Sequence, residues 1–236
     1  MGGAVAKPFL RLLDRPLLAH TLTVLQHSPS IRWIVLVVRQ RERCEAQHLI
    51  AYYRITKALS PCVGAASRAE SVARGLVAVP AAAQWIMIHD GARPCLTLRL
   101  VRDAVRAATR YGAVACGLPA SVTVKAVDER RQVRLTLDRE SLWFMQTPQV
   151  FRRDWVEQAM AMAKERLYSF PDDAAVLEAA GFPVTMVPGD PLNLKVTTRE
   201  DLILAAAILR SRVQKSDVRS QRSEARRPRR RTKIVV

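Results

Sequence analysis

The chain has little from which to build a disulfide scaffold, a membrane span or a metal cluster. Its 236 residues include four cysteines, Cys44, Cys62, Cys95 and Cys116, scattered with no Cys-x-x-Cys pair. That spacing argues against a zinc site and reads as reduced thiols of a cytoplasmic protein. The longest apolar runs, 33–38 and 202–209, are far too short to cross a bilayer. The N-terminus lacks the charged-then-apolar pattern of a secretion signal. Aromatic residues make up only 6% against 49% hydrophobic, a balance typical of Ala/Val/Leu-rich α/β proteins. No internal repeat and no catalytic triad are visible. His20, His27 and His48 fall in expected helices or turns without partners, and His89 reads as orienting the loop that follows it.

Positive charge is abundant, with a formal net of +17. It is unevenly spread. Residues 210–236 hold eleven Lys/Arg against Asp217 and Glu224, a net of +9, which leaves +8 for the body. A like-charged block of this kind reads as a disordered tail with weak affinity for nucleic acid. The body's charge fits an enzyme that takes polyphosphates. Its apolar runs alternate with amphipathic segments, the pattern of βαβ units and a mainly parallel sheet. Strands are expected at 33–38, 85–89, 113–118 and 184–187. Helices are expected at 41–53, 67–79, 97–110 (with Thr97 as N-cap), 153–165, 172–180 and 198–209. Between 121 and 137 the pattern turns hairpin-like.

Four segments carry chemistry. The first is Trp85-Ile-Met-Ile-His-Asp-Gly-Ala-Arg-Pro94, a buried strand running into an acid, a small-residue turn and an arginine. Ligands of open α/β sheets sit at the carboxyl ends of strands. Asp90 there can hold a magnesium ion, which prefers few carboxylates, several waters and the substrate's phosphates. Arg93 offers a planar fork to a second anion. The second is Asn193-Leu-Lys195, where alternation along an expected strand puts Asn193 and Lys195 on one side and Leu194 on the other. The third is 142–149, in which Thr147 and Gln149 flank Pro148 and can line a polar pocket, with Trp143 and Phe144 as core. The fourth is the small-residue loop from Gly64 to Ser71, which can approach a nucleotide through its backbone.

Together these segments resemble the 2-C-methyl-D-erythritol 4-phosphate cytidylyltransferase family. The match runs in order from Lys7-Pro-Phe-Leu10 and Pro16–Leu22 through Arg68–Leu76, His89–Pro94, Thr123-Val-Lys125, Leu137-Asp-Arg139, Leu142-Trp143, Thr147-Pro-Gln149 and Asn193-Leu-Lys195 to Glu200-Asp-Leu202. The resemblance implies a Rossmann-like nucleotidyltransferase sheet with helices on both faces over 1–209, and a protruding β-arm at 121–137 through which the chain forms a homodimer. It implies that CTP and methylerythritol phosphate give a diphosphocytidyl product and pyrophosphate. By the same resemblance, Lys7 and Lys195 are catalytic, Gly64, Ser71 and Gly91 bind CTP, and Asp90 holds Mg²⁺ with Asn193 beside it. Arg93, Thr123, Arg139 and Thr147 bind the polyol phosphate.

The chain departs from the family pattern in several places. A strand and a Gly-rich phosphate loop precede the first lysine in the family, and Met1-Gly2-Gly3 resembles only the tail of that motif. The expectation is therefore that the natural protein extends upstream, and that a chain starting here transfers little or no cytidylyl group. Ala65, Val122 and Pro171 replace residues near the expected pockets. The nearest rival reading is a ribitol-5-phosphate cytidylyltransferase, against which Ala92-Arg93-Pro94 and Thr123-Val-Lys125 argue. A second rival is a catalytically impaired homologue that binds polyanions through its tail. A linker towards a fused enzyme is a third reading of residues 210–236.

Overall fold

The computed structural model describes residues 6–225. The chain opens with a 3-10 turn at Lys7–Phe9 and a small hairpin of β1 (Arg11–Leu12) and β2 (Arg15–Pro16), which feeds α1 (Leu17–His27). Then come β3 (Val37–Val38), α2 (Arg43–Tyr52), β4 (Cys62–Val63), α3 (Arg68–Val77), β5 (Trp85–Ile88), α4 (Leu98–Tyr111) and β6 (Ala113–Pro119). An arm of β7 (Val124–Val127) and β8 (Val133–Leu137) precedes the ten-residue β9 (Trp143–Arg152). The chain continues through α5 (Arg153–Met162), α6 (Asp173–Ala179), β10 (Thr185–Pro188) and α7 (Arg199–Ala225).

Helix starts follow local chemistry. Ser67 closes a capping box with Glu70 ahead of α3, and the Thr97 hydroxyl accepts from the Leu100 N–H at 3.2 Å ahead of α4. Gly112 ends α4 at φ +84, where a side chain would also strike Trp155 at 2.5 Å. No Pro or Gly interrupts 199–225, and five Arg, four Ala, three Leu and two Gln stand there. These are good helix formers, so α7 runs to Ala225 instead of ending at 209. The segment read as a disordered tail is thus helical up to Ala225, and residues 226–236 lie outside the described ones.

The central sheet has the order β10-β6-β9-β5. It is mixed rather than mainly parallel, because β9 runs antiparallel to both β6 and β5. The sequence showed 142–149 as extended, but it did not reveal this strand as the sheet's centre. Pro148 is tolerated because the β6–β9 register breaks between Ala115 and Gly117, opposite Gln146–Pro148. The expected strand at 33–38 forms regular ladder only at β3, which pairs with β4 in a separate parallel sheet, plus one bridge from Ile34 to Ala58. Phe144 is exposed rather than core.

One core joins α1, α4 and the sheet through Leu18, Leu22, Val101 and Val114. Another joins α3, α5 and α6 on the opposite side through Leu76, Phe151, Val156 and Leu177. Leu17, Cys95, Val196 and Ala205 form a third cluster that seats α7. Among the described residues, no helix is long and apolar enough to cross a membrane.

The Asp201 carboxylate accepts the Thr197 and Thr198 N–H groups at 2.7 and 2.8 Å and the Thr197 hydroxyl at 2.7 Å. These bonds hold its pKa down to about 2, below the ordinary 3.8. A depressed carboxylate stabilises the fold above its unfolded pKa, and this contribution fades as pH falls from about 4 towards 2. Asp201→Ala should cost about 1 kcal/mol at pH 7, the usual worth of a helix cap. The difference from the parent should shrink towards zero near pH 2 in urea titrations across that range.

Candidate active site

β5 delivers Asp90 to the carboxyl end of the sheet, and the loop after it is fixed by bonds from three directions. The Thr147 hydroxyl on β9 accepts the Asp90 N–H at 3.0 Å and lies 3.0 Å from His89 Nδ1. On α1, the Thr21 hydroxyl donates to the Arg93 carbonyl at 3.1 Å. The Val196 N–H donates to the Ala92 carbonyl at 2.8 Å. Gly91 lies so close to Leu18 that a Cβ would approach it to 2.9 Å. Burial pushes the His89 imidazole down to about 4, so it is neutral at pH 7. It serves as a hydrogen-bond partner rather than a base.

The Asp90 carboxylate is 13% exposed and faces three cations: Lys195 Nζ at 3.1 Å, Arg93 Nε at 3.4 Å and Arg68 Nε at 3.6 Å. Burial opposes its ionisation, but Lys195, Arg68 and Arg93 outweigh that and hold its pKa below the usual carboxylate range. Arg68 also grips the fully buried Asp173 at 2.6 Å. Burial raises the Asp173 pKa in spite of that partner. Sequence reasoning passed over Arg68 and Asp173 as site residues. The available signal was Arg68 itself, placed by the Ser67 cap at the first position of α3.

Residues 193–197 form no strand, so the expected alternation does not hold. Asn193 is fully buried while Lys195 is exposed, yet both reach this corner by separate bonds. Asn193 Nδ2 donates to the Thr147 carbonyl at 2.8 Å, and the Asn193 carbonyl accepts from Arg93 Nη1 at 2.8 Å. Asn193 Oδ1 is buried with no hydrogen-bond partner. A free amide oxygen and one carboxylate make a donor set suited to a hard cation that keeps its waters and takes the rest from phosphate. Among the described residues, no group of three His, Cys, Asp or Glu could hold a metal by itself.

The other expected residues are distributed as follows. Ser71 ties the Gly64 loop to α3, accepting the Ala65 N–H at 2.9 Å and donating to the Ser67 carbonyl at 2.8 Å. A Cβ on Gly64 would meet the Ser71 hydroxyl at 2.7 Å, so a larger residue there would displace Ser71. Gln149 does not line a pocket. It is 1% exposed and bolts α6 to β9 through the Asp172 carboxylate and the Ala174 N–H, both at 3.2 Å. Lys7 lies in the first 3-10 turn. Thr123 and Arg139 are exposed at the base of the arm, and no hydrogen bond or ion pair joins either to Asp90.

An acid at a strand's carboxyl end with three converging cations defines an α/β domain that handles phosphate esters. Comparison narrows that class. The family described as 2-C-methyl-D-erythritol 4-phosphate cytidylyltransferase matches residues 1–211, and the chain belongs to this family of nucleotidyltransferases. A relative of that name from Desulforamulus reducens is 40% identical over 213 residues, covering 90% of this chain and 91% of its own. One from Geobacillus kaustophilus is 39% identical, covering 90% and 92%. The crystal structure of the enzyme of that name from Thermus thermophilus superposes with a TM-score of 0.72 at 30% identity, over 86% of this chain and 93% of that one. The 4-diphosphocytidyl-2C-methyl-D-erythritol synthase of Anaerococcus prevotii reaches 0.80 at 26% identity, over 89% and 92%.

Thr147→Val removes the hydroxyl of a residue that is only 4% exposed and leaves the Asp90 N–H without its partner. It should cost about 1–3 kcal/mol in denaturant melts. It should also release the 89–91 loop, visible as faster amide exchange at Asp90.

Proposed function

We propose that the chain transfers the cytidylyl group of CTP to 2-C-methyl-D-erythritol 4-phosphate, releasing pyrophosphate. The supporting observation is the Asp90 carboxylate with Lys195, Arg93 and Arg68 gathered on it, in a chain of this family. A phosphate oxygen of the polyol attacks the α-phosphorus in line as pyrophosphate leaves, so the protein's work is alignment and charge stabilisation. Lys195, already at the corner, turns its ammonium to the developing charge, and Lys7 is the second cation assigned to it. Gly64, Ser71 and Gly91 bound the nucleotide. Arg93, Thr123 and Arg139 take the polyol phosphate, while Thr147 aligns the loop between the two substrates. A magnesium ion, when bound, supplies neutralising charge on the phosphates, and Asp90 and Asn193 would hold it.

The finer parts of this reading are a homodimer and a cytoplasmic location. The arm exposes Val127, Val133 and Leu135, a surface that a second copy would cover, and the four cysteines are free thiols. Thr123 and Arg139 lie on that same arm, so dimerisation is the route by which they would reach a substrate.

The diagnostic reaction is ³¹P-detected formation of the diphosphocytidyl product, with protein in excess over CTP so that slow transfer is visible. Methylerythritol phosphate should yield product and ribitol 5-phosphate should not, and chelation with EDTA should stop the reaction. Lys195→Ala should slow it roughly 10²–10³-fold, the usual cost of losing a transition-state donor. Equal transfer to ribitol 5-phosphate, or no product from methylerythritol phosphate even when the family's upstream strand and Gly-rich loop are added ahead of Lys7, refutes the reading.

A further inference from the structure

The segment that carries Asn193 and Lys195 is shaped by a residue to which the proposed reaction gives no part. Between β10 and α7 the chain turns at Gly189-Asp190-Pro191-Leu192 before it reaches Asn193. Asp190 is the hub of that turn. Gln146 of β9 grips its main chain: Oε1 accepts the Asp190 N–H at 3.2 Å, and Nε2 donates to the Asp190 carbonyl at 3.1 Å. Gly189 permits this approach, since a Cβ there would collide with Gln146 Oε1. The Asp190 carbonyl also accepts the Asn193 N–H at 2.9 Å, and Asp190 Oδ1 accepts the Leu192 N–H at 2.9 Å. The remaining oxygen, Oδ2, faces Arg212 Nη2 at 3.7 Å.

Arg212 stands on α7 just beyond the apolar residues that seat that helix. Ala205, Ala206, Ile208 and Leu209 pack into the third core cluster, and Arg212 does not. Its guanidinium spans two loops instead. Nη1 donates to the Cys95 carbonyl at 2.6 Å, in the loop that carries Arg93, while Nη2 turns to Asp190. The Asp190 side chain is only 13% exposed. A carboxylate so withdrawn from water calls for a cation, and among the described residues Arg212 is the one within ion-pair reach. The same two loops are joined again where Arg93 Nη1 donates to the Asn193 carbonyl at 2.8 Å. Two arginines thus tie one junction, Arg93 at its Asp90 end and Arg212 at its Cys95 end.

We infer that Arg212 is a positioning residue for the proposed reaction. It makes no ion pair or hydrogen bond with Asp90. It braces the 189–193 turn against the loop after β5, and so fixes where Asn193 Oδ1 and Lys195 Nζ stand relative to the Asp90 carboxylate. A planar guanidinium suits this task because one side chain serves two acceptors at once. Catalysis by alignment is sensitive to such bracing, since a shift of about 1 Å can cost a large factor in rate. The part of α7 just past residue 209 is then working structure of the site. The inference rests on the roles assigned above to Asn193 and Lys195.

The test uses the whole ¹⁵N-labelled chain and Arg212→Met, which keeps the side chain's length and suits a helix. The Lys195 ammonium lies 3.1 Å from the Asp90 carboxylate, a pairing that slows exchange of its protons with water. NMR of the side-chain nitrogen should show that exchange quickening about tenfold in Arg212→Met, together with the Asn193 amide, while Ala115 in β6 stays unchanged. Leu209→Ala removes apolar contact from the same helix and leaves Arg212 in place. It should lower the melting temperature and leave Lys195 exchange as in the parent. Asp190→Asn keeps an acceptor for Leu192 and removes the charge that faces Arg212. Added to Arg212→Met, it should quicken Lys195 exchange no further. Unchanged Lys195 exchange in Arg212→Met, equal quickening in Leu209→Ala, or multiplied effects in the double variant overturns the inference. None of these readouts involves CTP, so failure here leaves the proposed reaction standing, and failure of that reaction leaves the brace standing.

Discussion

The candidate site depends on keeping one nearly buried carboxylate charged. Removing Asp90 from water would by itself favour its neutral form, and three cations from three parts of the chain reverse that preference. Arg68 arrives from α3, Arg93 from the loop after β5, and Lys195 from the segment before α7. Meeting this one requirement fixes how these three parts approach each other. A sequence that lost any of the three would weaken both the charge on Asp90 and the junction itself. Arg93 shows the coupling most directly, since the guanidinium beside Asp90 also holds the Asn193 carbonyl. Asp90 and Asn193, expected around the metal, and Arg93 and Thr147, expected around the polyol phosphate, are therefore one hydrogen-bonded unit, while Thr123 and Arg139 stand apart from it.

Much of this was legible in the sequence because the governing signals are local. Ser67 and Thr97 cap the helices that follow them, the 85–88 run is a strand, and the arm's alternation at 124–137 is a hairpin. Asp90, Arg93 and Lys195 stood out because acid and base types follow strand or turn signals. The central position of β9 was not legible, since pairing between 143–152 and two distant strands leaves no mark on the residues themselves. Gln149 was misjudged for the same reason: its amide is used up by Asp172 and Ala174, which only the tertiary fold brings near. Arg68 was overlooked because it looks like any basic residue opening a helix. Its function comes from Asp173, 105 positions away.

The length of α7 illustrates a different limit. Charge density argued for a solvated, irregular tail, whereas helix propensity and the lack of breakers argued for continuation. Within the described residues propensity prevails. Arg212 adds a reason, because its guanidinium reaches back to the Cys95 carbonyl at 2.6 Å and to Asp190 at 3.7 Å, anchoring the helix beyond the boundary that hydrophobic periodicity set at 209.

The site hangs on the end of β5. That strand leads into Asp90, and among the described residues it is paired on one side only, by β9. A strand with one free edge has fewer bonds to break on local opening than a central strand such as β6 or β9. The aim of Asp90 therefore falls to contacts at its own end: the Thr147 hydroxyl on its N–H and the cations on its carboxylate.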